Sequence, residues 1–186
     1  MEAVFTLPYP EYVVATTLQN KFKKKDWYSV SIPLSRQQKG VDLFLYNQRN
    51  KQTKSIQIKS SRAYHWKEGW NYQYYAWFRR FDYGVGTADY YFFFILYPTS
   101  SLESKTLNKS KTIKKRWRNK IVVLSDNEMN TLFRDIKTKK WKPESFFGFW
   151  FDEHSDDIFV TRWLDNISYK NNLFENKVKE IENMFL

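Results

Sequence analysis

The chain of 186 residues contains no cysteine, only two histidines, and five each of glycine and proline. Without cysteine there is neither a disulfide framework nor a thiolate zinc site. His65 and His154 have no spacing for a metal pair, which argues against a zinc hydrolase, and they read as surface or packing residues. So few histidines also leave no compelling Ser-His-Asp order. Five glycines and no glycine-rich phosphate loop argue against a nucleotide-dependent enzyme. The longest apolar run, Tyr90 to Tyr97, falls far short of the roughly 20 residues a bilayer span needs. The N-terminus carries Glu2 and Pro8 instead of a basic flank and an apolar run. The expectation is a soluble cytoplasmic protein with no signal peptide and no membrane partner.

Cationic and aromatic residues are abundant. Lys and Arg number 31 against 20 Asp and Glu, a formal charge of +11, and aromatics make up 20%. This balance favours a polyanionic partner, nucleic acid before an anionic membrane, although a Lys/Asn-rich composition alone produces the same charge. The length reads as a single domain over 1–186.

A helix is expected from Pro10 to about Lys24, with Glu11 in its first turn and Val14, Ala15, Leu18 and Phe22 on one face. Glu11 lies on that same face, either as a dipole-complementing acid or as a functional one. Trp27 to Ile32 alternates as a first strand, and Gly40 allows an unusual backbone angle just before Asp42. Val41–Leu45 and Ser55–Ser61 read as a hairpin across the polar stretch Tyr46–Lys54. Tyr90–Tyr97, stopped by Pro98, reads as a central strand covered on both faces. Lys120–Leu124 is a further strand, followed by a helix capped by Ser125 with Glu128 three residues on. A late hairpin is expected over Phe146–Phe151 and Ile158–Trp163, across an acidic turn that lacks calcium-loop spacing and reads as solvated. The C-terminal helix carries Phe174, Val178, Ile181 and Phe185 on one face.

Two stretches stand apart. Residues 64 to 83 hold ten aromatics in twenty positions with Arg79 and Arg80 among them. Aromatics interleaved with Arg stack on unpaired bases, whereas the bland reading is a strand or loop covering the sheet. Residues 100 to 120 carry eight basic residues, Lys114, Lys115, Arg116 and Arg118 among them, against the single acid Glu103. They read as a basic loop, either solvated or a phosphate-backbone arm.

The chemistry concentrates in the first hairpin. Alternation puts Gln57 and Lys59 on one strand face, and a hairpin brings Asp42 beside Gln57. A carboxylate, an amide oxygen and a lysine converging there can hold a hard divalent cation beside a water nucleophile. Asp42 is the main candidate ligand, with Gln57 and the Ile58 carbonyl as neutral oxygen ligands. Glu11 is a second carboxylate, and Lys59 is the group that orients or deprotonates water.

Gly40-Val41-Asp42 followed by Ile56-Gln57-Ile58-Lys59-Ser60-Ser61, after a helix bearing Glu11, resembles the PD-(D/E)XK nuclease superfamily over residues 8–62. The resemblance implies an α/β fold with a restriction-endonuclease-like core, a mixed central β-sheet of about five strands flanked by helices. Residues 64–120 are then aromatic and basic embellishments. It further implies a Mg²⁺- or Mn²⁺-dependent DNA endonuclease in which Asp42, Gln57 and Glu11 serve the metal and Lys59 the chemistry. Two departures stand out: Val41 replaces the usual Pro, and Gln57 replaces the usual Asp or Glu, which removes one negative charge and weakens Mg²⁺ binding. That second departure motivates the alternative, a catalytically degenerate nucleic-acid-binding module or subunit of a larger DNA-processing assembly. Arg62, Arg79, Arg80, Lys114, Lys115, Arg116 and Arg118 are the candidate DNA contacts; Arg62, with Ser60 and Ser61, either touches phosphate or ends the strand. Double-strand cutting would call for a homodimer.

Overall fold

The computed structural model describes residues 8–33, 40–65, 73–79, 86–99, 116–136, 146–160 and 167–185. Helix α1 spans Tyr9–Lys21, with Pro10 in its first turn where a missing N–H costs nothing. Val14 and Leu18 are buried, and Phe22 closes the helix with its N–H on the Leu18 carbonyl at 2.7 Å. Strands β1 (Tyr28–Ser31), β2 (Leu43–Asn47) and β3 (Gln52–His65) form an antiparallel meander. The turn between β2 and β3 is shorter than the polar stretch implied. Asn47 Oδ1 accepts from Arg49 N–H at 2.9 Å and Asn50 Oδ1 from Gln52 N–H at 3.1 Å, so these two side chains close it and release Thr53 and Lys54 to the ladder.

Strand β4 (Tyr74–Arg79) comes from the aromatic stretch, and β5 (Tyr90–Thr99) is the aromatic run itself. β5 lies parallel to β3 and antiparallel to β6 (Arg116–Ser125). It is central and buried on both faces, as its continuous apolarity requires. It continues through Pro98 to Thr99, because past Leu96 the pairing with β3 has ended and, among the described residues, only β6 pairs with it, so an imino nitrogen is tolerated there. Residues 116–120, expected in a basic loop, are the first half of β6, held by pairing with Ile95–Thr99.

Helix α2 (Asp126–Asp135) opens on the expected capping box, Ser125 and Glu128 satisfying each other's backbone N–H groups. Strands β7 (Phe146–Phe151) and β8 (Ile158–Val160) form the late hairpin as far as Val160, its expected continuation over 161–163 lying outside the described residues, and α3 (Phe174–Asn183) is the last element. Among the described residues the sheet is mixed, with eight strands instead of about five, in the order β1-β2-β3-β4-β7-β8 with β5 and β6 branching from β3. The extra strands arise because β3 is 14 residues long: Gln52–Ile56 pairs with β2, Ile56–Arg62 with β5 and Ala63–His65 with β4, which recruits the late hairpin.

Two cores result. Tyr90, Phe92 and Phe94 of β5 pack under α1 and α3 with Leu43, Leu45 and Ile56. Tyr91, Phe93, Ile95 and Tyr97 pack on the opposite face against α2 and the β4–β7–β8 wing. Phe78 meets Phe93 edge-on at 5.0 Å across that layer. Among the described residues no helix is long and apolar enough to cross a membrane.

Candidate active site

The hairpin register pairs Leu43 with Ile56, so one step further Asp42 stands opposite Gln57. Asp42 N–H donates to the Ile56 carbonyl at 2.8 Å, after which β2 no longer runs beside β3. The next outward N–H of β3, that of Ile58, would lose its partner. It donates instead to Asp42 Oδ2 at 2.6 Å, a short bond to a charged acceptor. In an extended strand a residue's N–H and C=O point the same way, so the Ile58 carbonyl opens onto the same edge. Its side chain turns the other way, into the core under α1.

Gly40 adopts φ +85°, where a side chain is strained, and a Cβ there would collide with the Thr87 methyl and reach 3.7 Å from the Gln57 amide nitrogen. This glycine therefore lets the segment before β2 lie directly on Gln57, which is only 9% exposed. Lys59 is half-buried on the Gln57 side of the strand. Burial pushes its amine below the usual lysine value, while the Asp42 charge pulls it partly back.

The structure thus gathers Asp42, Gln57, Ile58 and Lys59 at one place. Glu11 stands elsewhere: it is half-buried in the first turn of α1, on the opposite face of the sheet from Gln57 and Lys59. The helix start lies near the level of Lys59, since Tyr9 meets Phe94 edge-on at 6.0 Å and Phe94 pairs with Ser60. Among the described residues no three His, Asp or Glu side chains group as a metal site. The donor set is instead one carboxylate, one amide and one main-chain carbonyl. All are hard oxygens, suited to a cation that keeps several waters.

Of the expected DNA contacts, Arg62 and Arg79 are exposed, on β3 and at the end of β4. The Arg62 guanidinium lies 5.9 Å over the Trp117 ring. The Arg118 side chain, 62% exposed, sits 3.9 Å from Glu153. Arg116 begins β6. Arg80, Lys114 and Lys115, with the rest of 100–115, lie outside the described residues.

Two sites escaped the sequence reading. Asp89 Oδ2 accepts from both the N–H and the hydroxyl of Ser55 at 2.7 Å, locking the start of the parallel β3–β5 pair. An acid just ahead of an aromatic strand was the available signal. Lys120 donates to the Ser155 carbonyl at 2.9 Å and is pushed down by burial, with Asp156 and Asp152 pulling it back up. The acidic turn is accordingly not just solvated. Asp152 accepts from Gln73 N–H at 2.6 Å, and the Glu153 side chain is only 6% exposed. No family model, no curated protein and no solved structure matches this chain.

Proposed function

We propose that this chain is a Mg²⁺- or Mn²⁺-dependent DNA endonuclease with a PD-(D/E)XK-like active site and a restriction-endonuclease-like core. The observation that carries the reading is the 2.6 Å bond from Ile58 N–H to Asp42. It holds the carboxylate at the strand end, opposite Gln57 and within electrostatic reach of Lys59. The order of acid-bearing helix, strand and hairpin within a mixed sheet also supports it.

When bound, the divalent ion supplies Lewis acidity and neutralises charge on the phosphate. Asp42, the Gln57 amide oxygen and the Ile58 carbonyl would hold it, without Glu11, which sits across the sheet from them. Lys59, driven toward its neutral form by burial, takes a proton from the attacking water, and once charged it offsets negative charge on the phosphate. Arg62, Arg79 and Arg118 hold the DNA backbone together with Arg80, Lys114, Lys115 and Arg116. One site per chain cuts one strand, so double-strand cutting requires a homodimer.

The test is nicking of supercoiled plasmid with Mn²⁺ beside the Asp42→Ala variant. Metal-dependent nicking that disappears in the variant is the expected result; nicking that survives it rejects this site. A second reading, a catalytically degenerate DNA-binding module or assembly subunit, draws on Gln57, which leaves Asp42 as the only acid of the hairpin cluster. Calorimetric titration with Mn²⁺ separates the two, because the binding module needs no metal site.

A further inference from the structure

We propose that the open cleft beside Trp27, Gln48 and Arg49 receives an unpaired base of a nucleic-acid strand. The inference rests on the nucleic-acid reading above but not on its catalysis. The cleft lies past the far end of β2 from Asp42, and the strand places roughly 17 Å between them.

The backbone fixes all three residues. β1 and β2 pair Tyr28 with Asn47, and one step further Gln48 N–H donates to the Trp27 carbonyl at 2.7 Å. Asn47 Oδ1 holds the Arg49 N–H at 2.9 Å. Trp27 closes the short 3₁₀ turn Lys24–Asp26, its N–H on the Lys24 carbonyl at 3.0 Å and its φ at +69°. That left-handed position suits glycine or asparagine, and a large aromatic there is strained. Trp27 is nonetheless 56% exposed, so the ring does little to fill the core. Strain without burial points to a contact outside the fold.

The lining selects the occupant. The cleft, of about 540 Å³, is bordered by an indole, a carboxamide and a guanidinium, and Gln48 and Arg49 are both exposed. An indole face stacks on a base, while amide and guanidinium groups hydrogen-bond its polar edge. Lys23, Lys24, Lys25 and Lys51, all exposed, outnumber the acids felt at neighbouring Tyr28, Glu182 and Asp26. They suit phosphates on either side of the base. A duplex hides its base faces and would meet only the cations. An anionic membrane would take the same charge, but its binding scales with apolar area. Within 23–27 and 47–51, Trp27 alone is a large exposed apolar group.

The experiment is fluorescence anisotropy with a labelled single strand of about 15 nucleotides, against a duplex of equal length. EDTA keeps the hairpin metal site out of the measurement, so its outcome is separate from that of plasmid nicking. The wild-type protein should prefer the single strand. Trp27→Gly, which removes the ring and relieves the strain, should weaken single-strand binding about tenfold, the effect of losing one stacked base. Duplex binding should be unchanged, and the thermal midpoint should change little. Trp27→Phe should keep most of the affinity, since a smaller ring still stacks. Arg49→Ala should weaken single-strand binding severalfold while leaving the strained position untouched. Equal affinity for both forms, or Trp27→Gly within twofold of wild type, overturns the cleft. So does a large fall in the thermal midpoint of Trp27→Gly, which would give the ring to the fold. Loss of binding to phosphatidylserine vesicles in Trp27→Gly, with oligonucleotide binding intact, would give it to a membrane and overturn the cleft as well.

Discussion

Two carboxylate–lysine pairs in this molecule use the same chemical groups to opposite ends. Glu128 accepts from Ser125 N–H at 2.8 Å, from Asn172 at 2.9 Å and from Lys177 at 2.6 Å. Lys177, 5% exposed, is also held by Glu180 at 2.6 Å. Burial opposes the Glu128 charge, yet the bonds from Lys177, Ser125 and Asn172 prevail and hold its carboxyl below the usual value. This cluster is closed, tying α2, β6 and α3 together. At the Asp42–Lys59 pair the balance falls the other way. Burial outweighs the neighbouring carboxylate, and the lysine is left easier to deprotonate than in water. At Glu128 hydrogen bonds outweigh burial; at Lys59 burial outweighs the Asp42 charge, and a lysine lowered in this way is what proton transfer from water would require.

Exchanging the lysines' roles breaks the comparison most severely. Lys59→Ala should lower metal-dependent nicking by about 10²–10⁴-fold, the usual worth of a positioned acid–base group. Its thermal midpoint should stay near wild type, because burial disfavours that charge in the folded state. A Lys59→Ala protein that still nicks would leave the lysine no part in the chemistry.

Glu128→Ala reverses the pattern. It should cost about 1–2 kcal/mol in urea unfolding, less than for a fully buried pair, because the Glu128 side chain is 35% exposed and Glu180 still holds Lys177. Nicking per folded molecule should be unaffected. Because the folded carboxyl titrates below 4.5, its contribution is complete above that value and is lost as the pH falls through the folded pKa. Glu128→Gln should flatten that acid limb of the unfolding curve. Lys59 gives a slope of the same sign from a different cause: its charge is disfavoured on folding, so its penalty fades as the pH rises toward 10.5.

The smallest effect sharpens the contrast. Gln57→Glu adds the missing negative charge between Asp42 and Lys59 and should tighten Mn²⁺ binding on the order of tenfold by calorimetry. It should also raise the Lys59 pKa, seen as a shift of any lysine-linked limb in the nicking pH profile toward higher pH. Unchanged metal affinity would place the ion away from Gln57.

Much of the site's geometry was readable before any fold was known. Period-2 alternation set the Asp42–Gln57 register, and Gly40 announced a left-handed residue where the chain turns onto Gln57. The Ser125–Glu128 box marked the start of α2 for the same reason, since capping is local. The wing was less readable. Tyr74–Arg79 is as aromatic as any loop cover would be, and only its pairing with Ala63–His65 and Phe146–Phe151 makes it a strand. Basic residues 116–120 looked like a loop because Lys and Arg are poor strand formers by composition. Pairing with β5 overrides that preference.

The sequence by itself determined the start of α2, the hairpin register and the cluster of Asp42, Gln57, Ile58 and Lys59, because each depends on neighbours within about twenty residues of chain. The end of α1, expected near Lys24, falls at Lys21. Only the tertiary structure decided that Glu11 stands across the sheet from Lys59, that Lys59 is desolvated, and that the aromatic stretch presents one face to the core and the other outward. Those outcomes depend on which distant elements cover which face, and a pattern of period two is the same whichever face is covered.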